Sequence, residues 1–116
     1  MNYDGRIFRA VANSSNGDVD ETTRFEYHQV DSVVWATYRG GDIAFGTLLA
    51  TSDDAGNLNM RYQHLDHAGC FKTGKCLSTP EVMPDGRIRL HERWQWTSGD
   101  ASEGTSTLEE VDRGVE

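Results

Sequence analysis

The chain has 116 residues, with 11 Lys and Arg against 19 Asp and Glu, a formal net charge of −8 and 36% hydrophobic residues. That length accommodates one domain with one modest core, and the acidic excess excludes nucleic acid and anionic membrane surfaces as expected partners, because both ask for a basic footprint. The longest unbroken apolar run, Val33–Ala36, is far shorter than the ~20 residues of a membrane span and too short for the apolar region of a secretory signal.

Along the chain, glycine punctuates runs rich in Val, Ile, Thr, Tyr, Phe and Trp. The first run predicts a strand over 6–12, followed by a turn at Asn16-Gly17. Strands over 22–30 and 33–39 follow, joined at Asp31-Ser32. Gly40-Gly41 predicts a two-residue hairpin into a strand over 42–52, and Ala55-Gly56 leads to a strand over 57–67. After Ala68-Gly69 comes a strand over 70–78. The stretch 79–86 holds both prolines, Pro80 and Pro84, and is expected to be a loop, since proline cannot donate into a ladder. Asp85-Gly86 opens a strand over 87–97, and Ser98-Gly99 leads to the last, over 103–111. Residues 112–116 are expected to fray as an acidic tail outside the single domain at 1–111.

The period is that of strands. In 87–97, Ile88, Leu90, Trp94 and Trp96 share one face, while Arg87, Arg89, His91, Arg93 and Gln95 share the other. Eight such strands joined by short turns predict an all-β fold, a single antiparallel up-and-down barrel of lipocalin-like kind that closes and so removes its own edges.

Cys70 and Cys76 fall six residues apart in one expected strand, roughly 20 Å when extended, beyond the ~7 Å limit for a disulfide. Two free thiols without a secretory signal suggest a cytoplasmic protein.

Glu92 stands out because it occupies an otherwise apolar row, Ile88, Leu90, Trp94 and Trp96. A carboxyl facing a barrel interior must find a cation, accept hydrogen bonds or stay protonated. Strand parity sends Tyr27 and Gln29 to the face of Phe25, and Tyr62 and His64 to that of Leu58 and Met60. With Tyr38, Trp94 and Trp96 these residues would line an aromatic interior with a few polar tips, which suits a small, partly apolar ligand. A barrel filled by its own side chains is the alternative.

Two other readings remain open. Glu92 and His64 could form an acid–base pair in an enzyme. The exposed row Arg87, Arg89 and Arg93 could meet an acidic partner, with the chain a ligand-free interaction module, monomeric or homodimeric. His64 and His67 fall on opposite strand faces and the cysteines are too far apart to share an ion, so no metal site is expected. No nucleophile elbow or phosphate loop appears, and no residue is assigned a catalytic role.

The order of motifs carries a resemblance. Phe25-x-Tyr27-x-Gln29 is followed by Ala36-Thr37-Tyr38-Arg39-Gly40-Gly41-Asp42-Ile43, then Met60-Arg61-Tyr62-Gln63-His64. Thr73-Gly74-x-Cys76-x-Ser78-x-Pro80-Glu81 comes next, and the series ends in Glu92-x-Trp94-x-Trp96-Thr97-Ser98-Gly99-Asp100. Over nearly its whole length the chain resembles a family of small bacterial β-barrel proteins often labelled N-acetylglutamate synthase. The resemblance implies a compact barrel and supplies no catalytic residues. The label itself asks for an acetyltransferase loop, Gln/Arg-x-x-Gly-x-Gly/Ala, ahead of a helix that binds pyrophosphate. No Gln or Arg here is followed by Gly three places on, so acetyl-CoA is not expected as a cofactor.

Overall fold

The structure, a computed structural model, describes residues 1–111; the tail expected over 112–116 lies outside the described residues. It contains β1 (Ile7–Asn13), β2 (Arg24–Val30), β3 (Val33–Gly40), β4 (Ile43–Ser52), β5 (Leu58–Asp66), β6 (Phe71–Val82), β7 (Ile88–Trp96) and β8 (Glu103–Glu110), and no helix among the described residues. Each strand pairs antiparallel with the next in a closed barrel. β8 returns to β1, with Phe8 opposite Glu110 and Asn13 opposite Ser106. The eight-stranded up-and-down barrel read from the sequence is therefore the fold, and every strand has two neighbours, the shortest ladder joining Ile7–Arg9 of β1 to Arg24–Glu26 of β2.

Two local expectations change. Thr79 to Val82 are not loop but the end of β6, paired with His91 to Ile88 of β7. The ladder to β5 stops where Leu58 meets Ser78, so beyond that point β6 has a partner on one side only, and a sheet edge tolerates Pro80. The β3–β4 turn also shifts by one residue. Gly40 pairs with Ile43, which leaves Gly41 and Asp42 as the two turn residues. Gly40 and Gly41 both have positive φ, 121° and 64°, a backbone that side chains resist.

Alternation places one row of each strand inside. Tyr3, Phe8, Tyr27, Val34, Leu58, Ile88, Leu90 and Leu108 fill the end that carries the β2–β3, β4–β5 and β6–β7 turns. Larger rings occupy the opposite half, and register explains how they fit. Tyr38 lies directly opposite Gly46, Tyr62 opposite Gly74 and Trp94 opposite Gly104. At each of these glycines an added Cβ would overlap the ring across from it. Three times, therefore, a bare backbone on the even-numbered strand makes room for an aromatic ring on the odd-numbered strand before it.

Candidate functional site

The ring-lined half encloses a cavity of about 60 Å³, bordered among others by Tyr38, Tyr62, His64, Glu92, Trp94 and Trp96. β3 supplies one of these six, β5 two and β7 three, and inward positions two apart on one strand sit side by side. The rings brace one another: Tyr62 on Trp96 at 5.8 Å, His64 on Trp96 at 5.6 Å, and Trp94 on Trp96 at 5.5 Å between centroids.

Two of the residues singled out by parity lie elsewhere. Tyr27 is buried in the opposite half against Phe8, centroids 4.9 Å apart. Gln29 sits at that end of the barrel, where its Oε1 accepts from the Tyr3 N–H at 2.9 Å and its Nε2 donates to the Asp31 carbonyl at 2.8 Å. Parity gives the face of a residue but not its height along the barrel axis, and both residues are at the wrong height to line the cavity.

Glu92 lies at the junction of the two halves and is 9% exposed. Among the described residues no cation pairs with it. Its Oε1 accepts a hydrogen bond from the Ser106 hydroxyl at 3.1 Å. The Ser78 hydroxyl on the neighbouring strand also draws its pKa down, although Ser78 Oγ makes no hydrogen bond of ordinary geometry. Burial outweighs both serines and pushes the Glu92 carboxyl up to about 7. Near neutral pH this group is therefore divided between an acceptor-only carboxylate and a carboxylic acid that can also donate. Tyr27 shares this environment: burial first, then the Glu92 charge, raises its hydroxyl well above the ordinary range.

A strap closes the other side of the cavity. The β1–β2 connection, 14–23, contributes Asp18 and Val19 to the lining. Asp18 Oδ2 accepts from His64 Nε2 at 3.0 Å and from Lys72 Nζ at 2.8 Å. Burial acts to raise the Asp18 pKa, but the hydrogen bonds from Lys72 and His64 overcome it and hold the carboxyl below its usual value. The Trp96 indole donates to the Asn16 carbonyl at 3.3 Å, and the Asn13 amide donates to the Val19 carbonyl at 2.9 Å.

This arrangement gives His64 partners other than Glu92. His64 Nε2 lies 3.0 Å from Asp18 Oδ2, and its Nδ1 lies 3.0 Å from the Tyr38 hydroxyl. Glu92 and His64 both border the cavity, and both nitrogens of His64 are held by groups other than Glu92. The basic row changes as well. Arg87 pairs with Asp85 at 2.7 Å and Arg89 with Glu109 at 2.8 Å, so local carboxylates neutralise two of its three members.

Sequence reasoning did not find Asn13, Asp18, Val19 or Ser106 as lining residues. The one available signal for the strap was length: the gap between the first two predicted strands exceeds a hairpin turn. For Ser106 the signal was parity with Leu108, on the last strand.

Three buried side-chain atoms have no hydrogen-bond partner among the described residues: Asn13 Oδ1, Ser78 Oγ and the Tyr27 hydroxyl. Asn13 borders the cavity, and the other two lie within the electrostatic surroundings of Glu92. Buried polar groups are normally satisfied, so this concentration marks the cavity and its floor as the polar centre of an otherwise apolar interior.

No curated protein and no solved structure matches the chain. Residues 1–111 do match the family described as avidin-like protein, which covers every strand of the barrel. The chain, with its closed eight-stranded barrel and ring-lined interior, belongs to the avidin-like family of small β-barrels.

Proposed function

We propose that the barrel binds a small, partly apolar molecule in the cavity beneath the strap. Tyr62, Trp94 and Trp96 would flank its rings or aliphatic part, and Glu92 would take an N–H donor or a cation on it. The observation that carries this reading is the concentration of unsatisfied buried polar atoms around a carboxyl that no cation among the described residues neutralises. Membership of a family that takes small molecules supports it. A cavity of about 60 Å³ is far below the ~300 Å³ of ordinary ligand pockets. A ligand larger than a fragment would therefore need the strap to lift, which the mainly polar attachment of Asp18 makes feasible. Acetyl transfer has no place in this reading, because the described residues contain no helix to receive a pyrophosphate. The free thiols, Cys70 exposed and Cys76 buried, support a cytoplasmic setting.

The test is a thermal-shift series with benzamidine, tryptamine, benzoate and biotin, on the wild type and on Glu92→Gln and Trp96→Ala. We expect the cationic, ring-bearing probes to raise the Tm by several degrees at concentrations well above their Kd. That shift should disappear in Glu92→Gln, and benzoate should give none. If no probe moves the Tm, or if both variants shift as much as the wild type does, the reading is wrong.

A further inference from the structure

The outer wall carries a second feature, independent of the cavity. Among the described residues Arg6, Lys72, Arg87 and Arg89 each have a carboxylate partner, and Arg9 and Arg39, which form no ion pair there, stand apart on β1 and β3. Arg61, Lys75 and Arg93 have no carboxylate partner among the described residues, in a chain whose formal net charge is −8. They are also gathered in one place. Arg61 of β5 lies directly opposite Lys75 of β6, and Arg93 of β7 lies opposite Leu77, the next outward residue of β6. Together they border a shallow groove of about 470 Å³ that also includes Asn59, Leu77 and Gln95. The one carboxylate lining that groove, Glu103, forms no ion pair with them.

Two details set this cluster apart from a merely solvated face. Like charges placed directly opposite on adjacent strands destabilise a sheet, and with so many acidic residues available the Arg61–Lys75 pairing is an avoidable cost. Arg61 is also fixed to the wall, since its Nη1 donates to Asn59 Oδ1 at 2.9 Å and to the Met60 carbonyl at 3.0 Å. Its remaining N–H donors are left for an outside acceptor. Beside the cations Leu77 is half exposed, and the cross-strand row of Lys75 and Arg61 continues through the exposed Leu49 and Trp35.

We propose that the outer wall of β5–β7 is a docking surface for an acidic polypeptide segment. Its carboxylates meet Arg61, Lys75 and Arg93, and an aliphatic side chain between them rests on Leu77. Nucleic acid is the poorer occupant, because its affinity comes from many phosphate contacts and the rest of this surface repels it. A symmetric dimer through the patch is also poorer, because a two-fold interface sets the same patch against itself, cation to cation.

The probe is a fluorescein-labelled peptide of alternating Glu and Leu, followed by anisotropy at low salt and at physiological salt. A Lys-Leu peptide and oligothymidylate serve as comparisons, and sedimentation reports self-association. The Lys75→Glu/Arg93→Glu variant should fold, because a glutamate at 75 faces Arg61. We expect binding of the acidic peptide that weakens with salt, falls roughly tenfold or more in the double variant, and is unchanged in Arg39→Glu, whose cation lies over the Phe45 ring elsewhere on the wall. Equal binding by the double variant overturns the proposal. So does tighter binding of oligothymidylate than of the acidic peptide, and so does a self-association of the wild type that the double variant abolishes.

Discussion

The two ends of the barrel are closed by different chemistry. At one end the N-terminal segment acts as an apolar stopper. Tyr3 is fully buried, its ring 6.4 Å from Phe8 and 5.9 Å from Tyr27 between centroids, and its hydroxyl donates to the Gly56 carbonyl. Backbone bonds continue the attachment, from Gly5 N to the Tyr27 carbonyl at 3.0 Å and from Tyr27 N to the Arg6 carbonyl at 2.9 Å. At the other end the strap is fastened mainly by hydrogen bonds and an ion pair, and Lys72, the cation that secures it, is 36% exposed. A stopper made of core residues leaves only when the core does. A strap pinned by partly solvated charges can detach alone, because each such pin contributes roughly 1 kcal/mol or less. The barrel therefore has one permanent floor and one removable roof, and the cavity lies under the roof.

The largest effect on this comparison should come from removing the stopper. Tyr3→Ala deletes a fully buried ring and strands the Gly56 carbonyl, and we expect a loss of about 3–5 kcal/mol in a single cooperative transition. Urea denaturation followed by far-UV circular dichroism measures it. If Tyr3→Ala cost less than Asp18→Asn, the assignment of floor and roof would be reversed.

Glu92, at the boundary between the halves, gives the next effect. Its folded pKa lies near 7 against 4.5 for the free group, so between those values the folded state holds more protons than the unfolded one. Stability attributable to Glu92 is then fully present below about pH 4.5 and falls as pH rises toward 7, by up to about 3 kcal/mol. Glu92→Gln keeps the shape without the charge. It should flatten the stability profile over that window and be the more stable protein at pH 8. Chemical denaturation at half-unit intervals from about pH 5 to pH 8 decides this. A variant whose stability declined in parallel with the wild type would show that other groups carry the slope.

The rings under the roof depend on the glycines opposite them. In Gly74→Ala the new methyl would overlap the Tyr62 ring, and overpacking of this kind costs about 1–3 kcal/mol. Tyr62 lines the cavity, so the same change should weaken any ligand response measured by thermal shift. Gly69→Ala makes a suitable comparison, because no atom lies within 4 Å of its Cβ and its cost is confined to the strained turn backbone.

What the sequence disclosed and what it concealed follow from the range of each signal. Alternation along 87–97 is local, and it led directly to β7 and to Glu92 inside the barrel. The same alternation misplaced Gln29 and Tyr27, because height along a barrel depends on strand tilt and register with neighbours, which no single strand contains. Pro80 truncated the reading of β6, since nothing local revealed that β5 would end opposite Ser78 and leave an edge. The pairing of Tyr38, Tyr62 and Trp94 with glycines is visible only once register is known. Asp18 and Tyr3, which define the two ends, lie in irregular segments whose contacts are distant in sequence: Asp18 bonds Lys72 and Tyr3 bonds Gly56.

The smallest expected effect is the most specific test of the removable roof. Asp18→Asn keeps the size of the side chain but removes the charge that accepts from His64 and Lys72, and global stability should fall by only about 1 kcal/mol. The local consequence should be larger than the global one. Freed of its ion pair, the strap should open more often and admit small solutes to Trp94 and Trp96, whereas the stopper end should not respond. Acrylamide quenching of tryptophan fluorescence in a Trp35→Phe background, which removes the exposed indole, reports this directly. We expect the quenching constant to rise in Asp18→Asn while amide exchange at Tyr27 and Ile88 stays at its wild-type rate. Because the Asp18 carboxyl is held below its usual pKa, it loses its charge, and the stability it contributes, only as pH falls below the ordinary aspartate range. The latch should then stay closed through the neutral range, and acidification of the wild type should reproduce the variant's quenching. Quenching that stayed low in the variant, or that rose together with exchange at Tyr27, would mean that the strap is part of the core and opens only when the whole barrel does.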